Sequence, residues 1–116
     1  MSMTSSTRQV DGVTIVDLSG RITLGDGGNI LRDTVRDLLS KGNKKIVLNL
    51  KDINYVDSSG IGELVKAFTT SKEHGGELKL LNLTKKVNDL LQITRLYTVF
   101  DVHDEESAAL AAFQNR

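Results

Sequence analysis

A carboxylate and two hydroxyls stand together in the stretch YVDSSGIGELVKAF, which runs from Tyr55 to Phe68. Asp57 precedes Ser58 and Ser59, and an amphipathic run follows. The simplest interpretation is a helix N-terminus, at which Asp57 or Ser58 accepts hydrogen bonds from the first backbone N–H groups. The other interpretations are a nucleophilic serine and a serine hydroxyl that is covalently modified.

A hydrolytic serine is poorly supported by the residues around it. The stretch lacks the Gly-x-Ser-x-Gly pattern of a nucleophile elbow. The histidines of the chain are His74 and His103, and at about 1.5 Å per helical residue His74 lies some 20 Å from the serines. We therefore predict that the protein is not an enzyme.

The glycine-rich segment LGDGGN, at positions 24–29, is a second candidate site. Gly25 and Gly27 flank Asp26, but position 30 is isoleucine and the chain has no Walker lysine motif, so nucleotide binding is weakly indicated. We interpret residues 25–28 as a flexible loop before a helix. The chain has no cysteine, which excludes thiolate metal sites, and we expect neither a metal nor a cofactor.

Length and charge limit the classes of function. The 116 residues suit one domain. Fifteen basic and 15 acidic residues leave no net charge, which gives no general attraction to nucleic acid or anionic lipid. No apolar run is long enough to span a bilayer, and the first residues lack a signal segment. We expect a cytoplasmic protein with a disordered polar tail over residues 1–7 and one domain over residues 8–116.

Strands and helices alternate along the chain. Asp11-Gly12 between valines predicts a two-residue hairpin turn, with a short strand ending at Val10 and a longer one from Val13 to about Leu18. Apolar periodicity and the turn residues between the periodic segments predict the other elements. These are a helix over about 29–41, a strand over 45–50, a helix from the serines to about 74, a strand over 77–83, a helix capped by Thr84, a short strand over 98–102 and a C-terminal helix.

This order predicts an α/β fold with a mixed, mostly parallel sheet. Asp17, Asn49 and Lys79 interrupt the apolar strands with a period near two. Strands buried on both faces read instead as continuous apolar runs. We therefore expect helices mainly on one face of the sheet, with only the N-terminal hairpin strand antiparallel.

Several segments together resemble one known family. They are LSGRIT, the long stretch NLKDINYVDSSGIGELVKAF, then GGELKLLNLTKKVNDLLQITRL, and finally VFDVHDEESAALAAF. The sequence resembles the STAS domains of bacterial anti-sigma factor antagonists over roughly residues 8–113, and the Asp-Ser-Ser-Gly-Ile-Gly block is the most specific part. The resemblance implies the STAS fold, with one mixed sheet.

The resemblance also implies a switch. In this family the unmodified protein binds an anti-sigma factor that is also a serine kinase, and so frees the sigma factor. The kinase phosphorylates the second serine of the tetrad, which is Ser59 here, and a serine phosphatase that requires a metal restores it. The motif and partner-binding residues implied in this way are Asp57, Ser58, Gly60, Ile61, Gly62, Gly25 and Asp26.

A second class of function stays open. Some STAS domains are adaptor subunits of lipid-transport or stress-sensing assemblies, and these would bind their partners whatever the state of Ser59. In both cases we expect protein partners, no direct contact with nucleic acid or membrane, and a monomer or weak homodimer.

The local geometry of the motif can also be predicted. We expect Ser58 to cap the helix, which would leave Ser59 exposed. Glycine costs a helix about 1 kcal/mol relative to alanine, yet Gly60 and Gly62 are both present. We expect both in the first turn, close to a neighbouring backbone or to a partner. Alanine at either position is expected to stabilise the isolated domain and to weaken partner binding.

Overall fold

The computed structural model describes residues 3–114, which form a five-stranded sheet and four α-helices. No helix in this part of the chain is both long and apolar enough to cross a membrane. The elements in chain order are β1 (Thr4–Val10), β2 (Val13–Ile22), α1 (Asp26–Ser40), β3 (Lys45–Val56), α2 (Ser58–Glu73), β4 (Glu77–Leu81), α3 (Lys85–Ile93), a 3-10 turn (Tyr97–Val99), β5 (Val102–His103) and α4 (Glu106–Gln114).

The hairpin at the start of the chain is as predicted, but it is longer. Asp11 and Gly12 have φ values of 53° and 81°, and this positive pair is what a two-residue hairpin turn requires. The predicted disordered tail is wrong for residues 4–7, because these residues pair with β2 in the antiparallel ladder. Met3 is buried in the core beside them. Residues 1–2 lie outside the described part of the chain.

The strands follow the order β1-β2-β3-β4-β5 across the sheet. β1 runs antiparallel to β2, and the other three pairs are parallel. This confirms the predicted mixed sheet with one antiparallel strand at its N-terminal edge.

Strand β3 is twice as long as the sequence suggested, since it continues to Val56. Its pairing with β2 shifts twice, between Asp17 and Ser19 and between Gly20 and Arg21 of β2. Each shift leaves one extra residue on β3, which is the geometry of a β-bulge. The bulged half of β3 leads directly into Asp57 and the serines.

Three helices pack on one face of the sheet and α4 packs on the other. The main core joins the sheet to apolar residues of α1, α2 and α3, and these are Leu31, Val35, Leu38, Leu39, Ile61, Leu64, Ala67, Val87 and Leu91. A smaller cluster on the second face joins Val13, Ile15, Val47 and Leu81 to Ala109 and Phe113 of α4. The prediction of helices mainly on one face is confirmed.

The polar residues with a period near two lie on this second face. Asn49 donates a hydrogen bond to the Asp17 carboxylate at 2.8 Å. Arg8 lies 2.7 Å from both Asp17 and Glu106, so it links α4 to the hairpin and lowers the pKa of each carboxylate. Lys79 is buried and pairs with Asp101.

In the second half of the chain, the last strand differs most from its prediction, while β4 ends two residues early, at Leu81. Residues 97–99 form a 3-10 turn, and β5 comprises only Val102 and His103, so the strand predicted over 98–102 is wrong except for its last residue. The predicted cap of α3 is confirmed, because the Thr84 hydroxyl accepts a hydrogen bond from the N–H of Val87 at 3.4 Å.

Candidate functional site

Asp57 is the N-cap residue of helix α2. Its backbone is extended, with φ −97° and ψ −176°, and its Oδ1 accepts a hydrogen bond from the N–H of Gly60 at 2.7 Å. This is the N-cap geometry, in which a side-chain oxygen satisfies a free N–H group of the first turn. The prediction that Ser58 caps the helix is wrong, since Ser58 is already the first helical residue.

Asp57 also joins α2 to the loop between β2 and α1. Its Oδ2 accepts a hydrogen bond from the N–H of Leu24 at 3.3 Å. Its own N–H donates to the carbonyl of Ile22 at 3.3 Å. Through these contacts one carboxylate and one N–H hold the loop and the start of the helix together as a unit.

Gly60 lies directly against the end of β2. A Cβ atom at this position would overlap the carbonyl oxygen of Ile22 and would lie 2.9 Å from Cγ1 of Val56. Its predicted position in the first turn, against a neighbouring backbone, is confirmed. The expectation that Gly60→Ala stabilises the domain is wrong, because α2 and β2 approach too closely for a methyl group.

Gly62 differs from Gly60. A Cβ atom on Gly62 would have no other atom within 4 Å outside its own helix and chain neighbours. The expectation of a neighbouring backbone is therefore wrong for Gly62, and its contact with a partner stays a prediction.

The residues at positions 25–28 form the N-cap and the first turn of α1. Gly25 precedes α1 with φ 95°, and a Cβ on Gly27 would overlap the carbonyl oxygen of Arg21. The interpretation of residues 25–28 as a flexible loop is wrong, since the helix begins at Asp26 and its first turn packs on β2. The side chain of Asp26 lies outside the described part of the structure.

The surface of this unit contains both serines and one large apolar side chain. Ser58 and Ser59 are exposed, and Leu24 is 81% exposed. Ile61 is only 4% exposed and packs in the main core, so its side chain anchors the helix. The predicted motif therefore divides into residues that hold α2 in place and residues that face solvent.

An ion pair between α1 and α2 lies one helical turn beyond Ser59. Arg32 of α1 is 2.9 Å from the carboxylate of Glu63, and its hydrogen bonds lower the pKa of Glu63. Residues four apart share one face of a helix, so Glu63 is on the face of Ser59. The sequence did not predict this pair because Arg32 and Glu63 lie on different helices.

The histidines do not form a catalytic arrangement with the serines. His74 ends α2 and its ring bonds to the carbonyl of Thr70, while His103 lies in β5 beside Asp101. Among residues 3–114 no group of three or more His, Asp or Glu side chains is arranged to hold a metal ion. The reactive groups of the site are therefore the hydroxyls of two exposed serines at a helix N-terminus.

The role of Asp57 can be tested by substitution. Asp57→Ala should reduce the free energy of unfolding by about 1–2 kcal/mol, because the first turn loses its cap and the loop loses the Leu24 contact. Asp57→Asn should have an intermediate effect, since its single amide oxygen can keep the Gly60 cap while its NH2 group cannot accept from the Leu24 N–H. Urea unfolding measures the change, and amide hydrogen exchange at Leu24 should quicken in Asp57→Ala.

Asp52 supplies the control for that experiment. It is exposed and lies in β3, the strand that precedes Asp57, so Asp52→Ala removes one nearby carboxylate without touching the cap. Equal unfolding midpoints for Asp57→Ala and Asp52→Ala would contradict the assigned role of Asp57.

Comparison with known sequences places these features in a family. The sequence model of the STAS domain matches residues 4–109. The anti-sigma-B factor antagonist of Bacillus subtilis (strain 168) is 31% identical over 102 residues, which cover 88% of this chain and 92% of the relative.

Solved structures have the same architecture. The crystal structure of a candidate anti-sigma factor antagonist from Thermotoga maritima superposes with a TM-score of 0.85 at 27% identity, covering 93% of this chain and 92% of that one. The Bacillus cell fate determinant SpoIIAA in its phosphorylated form gives a TM-score of 0.70 at 19% identity, with 94% and 99% covered. The second likeness concerns the fold alone.

Proposed function

The chain belongs to the STAS domain family, and from this premise we propose that it is an anti-sigma factor antagonist whose partner binding is switched by phosphorylation of Ser59. The observation that carries the proposal is the pair of exposed serines, Ser58 and Ser59, at the N-terminus of α2. Asp57 and Gly60 fix this N-terminus against β2. An exposed serine on a helix end held in this way suits both a kinase and a protein partner whose binding depends on phosphorylation.

The partner in this proposal is an anti-sigma factor that is also a serine kinase. It binds the unmodified form and so releases its sigma factor, and a serine phosphatase reverses the modification. The names of the relatives support this partner, since the Bacillus subtilis relative is an anti-sigma-B factor antagonist. SpoIIAA, which shares the fold, has been solved in a phosphorylated form. In this proposed role the protein would act in the cytoplasm.

The fold should tolerate a phosphate on Ser59. By helix geometry the N–H groups of Ser58 and Ser59 have no acceptor within α2, and the positive end of the helix dipole favours an anion there. This favourable term is about 0.3–1 kcal/mol at an exposed site. Because Arg32 already pairs with Glu63, the carboxylate on the face of Ser59 is partly compensated.

The same phosphate should weaken the complex. It adds about −1.5 to −2 charges at neutral pH to a surface that also contains Asp57. A partner that packs against a neutral hydroxyl would then have to accommodate a dianion. A loss of about 3 kcal/mol corresponds to roughly a hundredfold weaker affinity, which is sufficient for a switch.

Exposure does not choose between the two serines, because both are exposed. The choice of Ser59 rests on its position as the second serine of the family tetrad. The contribution of the structure is the rigid frame around the pair, in which Asp57 takes the capping role and leaves both hydroxyls unengaged by it.

The test is phosphorylation in a defined mixture. Incubation with ATP and an anti-sigma kinase should add roughly 80 Da, the mass of one phosphate group, and peptide mapping should place it on Ser59. Ser58→Ala should accept the phosphate and Ser59→Ala should not. Phosphate on Ser58 alone would contradict the assignment. Partner binding that does not depend on phosphate would favour the adaptor function instead.

A further inference from the structure

A surface groove runs beside the serine motif, between the bulged half of β3 and the start of α3. One part of it, of about 420 Å³, is lined by Arg21, Asn54, Tyr55 and Lys86. A second part, of about 360 Å³, shares Asn54 and Lys86 with the first and extends to Lys51 and Lys85. We call the surface formed by these six residues the basic groove.

The basic groove concentrates positive charge on a chain whose net charge is zero. Four of its six residues are cations, and Asp52 is the one carboxylate that also lines the second part. Within residues 3–114, no ion pair engages Arg21, Lys51 or Lys86, while Lys85 pairs along its own helix with Asp89. Most of this positive charge is therefore available to a partner.

The two lysines at the start of α3 also oppose the helix dipole. Lys85 and Lys86 occupy its first turn, which contains no acidic residue. Cations at a helix N-terminus are disfavoured, since that end of the dipole is positive. A local arrangement that costs stability in the free domain is typical of a functional surface.

Tyr55 gives the groove an aromatic component. It is 46% exposed, and the guanidinium carbon of Arg21 lies 6.0 Å from the centre of its ring. The two residues are paired in the β2–β3 ladder, immediately after the second register shift. Exposed aromatic and arginine side chains together are the residue types that contribute most to protein interfaces.

The groove lies close to the two serines along the chain. Tyr55 precedes Ser59 by four residues, so even a fully extended chain would separate them by at most roughly 14 Å. A protein that covers Ser59 over an interface of ordinary size, about 800 Å² on each partner, would extend over the groove as well.

We propose that the basic groove binds an acidic polypeptide segment of the same partner that contacts Ser59, an inference that rests on the proposed function. Carboxylates of that segment pair with Arg21 and Lys86, and an apolar or aromatic side chain packs on Tyr55. The groove thus supplies a contact that is independent of the phosphorylation state. Its attraction speeds encounter with the partner and fixes the register of the complex.

A polypeptide fits this groove better than nucleic acid does. Nucleic-acid sites are extended basic stripes on domains with a strong positive balance, whereas this chain is neutral overall. Only a few side chains line the two parts of the groove, so they do not form such a stripe.

The first experiment uses the anti-sigma kinase and charge reversals. Arg21→Glu and Lys86→Glu should each weaken binding about tenfold by calorimetry, with a shallower dependence on salt. Lys45→Glu is the matched control, because Lys45 is an exposed lysine at the opposite end of β3, and its affinity should stay within about twofold of wild type. Lys86→Glu should not unfold the domain, since glutamate suits the first turn of α3.

Unchanged affinity in both groove variants, or an equal loss in Lys45→Glu, would overturn the inference. The affinity of Ser59→Asp, measured in the same experiment, separates the phosphorylation switch from the role of the basic groove. If it binds as tightly as wild type while Lys86→Glu is weakened, the phosphorylation switch fails and the groove stands.

The second experiment needs no partner. The peptide acetyl-Glu-Glu-Phe-Glu-Glu-amide should shift the amide resonances of Arg21, Tyr55 and Lys86 in a labelled domain, and its glutamine counterpart should not. Absence of shifts at millimolar peptide, or equal shifts with the glutamine peptide, would refute an acidic ligand. Tighter binding of a single-stranded DNA oligonucleotide than of the acidic peptide would refute a polypeptide ligand.

Discussion

Ser59→Ala should bind the anti-sigma kinase permanently and accept no phosphate, whereas Ser59→Asp should bind at least about tenfold more weakly. The reason is the charge that the partner must face at the start of α2. Aspartate has one negative charge where phosphoserine has nearly two, so its effect should fall short of the hundredfold loss expected for the phosphate. Affinities measured by calorimetry, with and without prior kinase treatment, test both variants.

Thr69→Asp is the control for that charge. Thr69 is an exposed residue of the same helix, further from its N-terminus, and its substitution should leave the affinity near that of wild type. Tight binding by Ser59→Asp, or an equal loss in Thr69→Asp, would contradict a switch centred on Ser59.

The two Ser59 variants should unfold at nearly the same temperature as wild type. The hydroxyl of Ser59 is exposed, and substitutions at exposed positions usually change stability by less than about 0.5 kcal/mol. An aspartate in the first turn is also favoured by the helix dipole. The proposed switch would therefore change the surface without a rearrangement of the fold.

Much of this fold could be predicted because its signals are local. The Asp11-Gly12 turn is set by two neighbouring residues. Asp17 and Asn49 indicated a polar face of the sheet because side chains alternate along a strand, and the structure joins them on that face. These patterns depend on the residues of one element and its immediate neighbours.

The second half of β3 could not be predicted in the same way. Two register shifts interrupt the period of two between Asn49 and Val56, so exposed residues such as Asp52 and Asn54 break the alternation and the predicted strand ended at position 50. The first part of β1, residues 4–7, was missed because its Thr and Ser residues form no apolar pattern, and their pairing with β2 is what orders them.

The candidate site was predicted in position but not in detail. A helix starting near Ser58 follows from the apolar periodicity of α2, and the structure confirms it. Asp57 and Ser58 are equally good caps by residue type, and only the approach of α2 to Ile22 and Leu24 decides for Asp57. The contact between Gly60 and β2 also joins two elements that are distant in sequence. The sequence therefore predicted a gain in stability for Gly60→Ala where the structure indicates a loss.

Gly62→Ala is the control for Gly60→Ala, the substitution with the largest expected effect on stability. Its added methyl group would enter open space and replace a poor helix former by the best one. A gain of up to about 1 kcal/mol in the free energy of unfolding is expected. Urea unfolding of this variant therefore measures the gain in helix propensity near the start of α2, just beyond its first turn, without any steric term.

Gly60→Ala should instead destabilise the domain by about 3 kcal/mol, because the added methyl group forces α2 away from β2. The obstacle is the backbone carbonyl of Ile22, which cannot rotate aside as a flexible side chain does. The same displacement would strain the Asp57–Gly60 cap and move Ser59, so kinase-catalysed phosphorylation should slow as well. If urea unfolding finds Gly60→Ala as stable as Gly62→Ala, the first turn of α2 is not held against β2, and the rigid frame proposed for Ser59 is wrong.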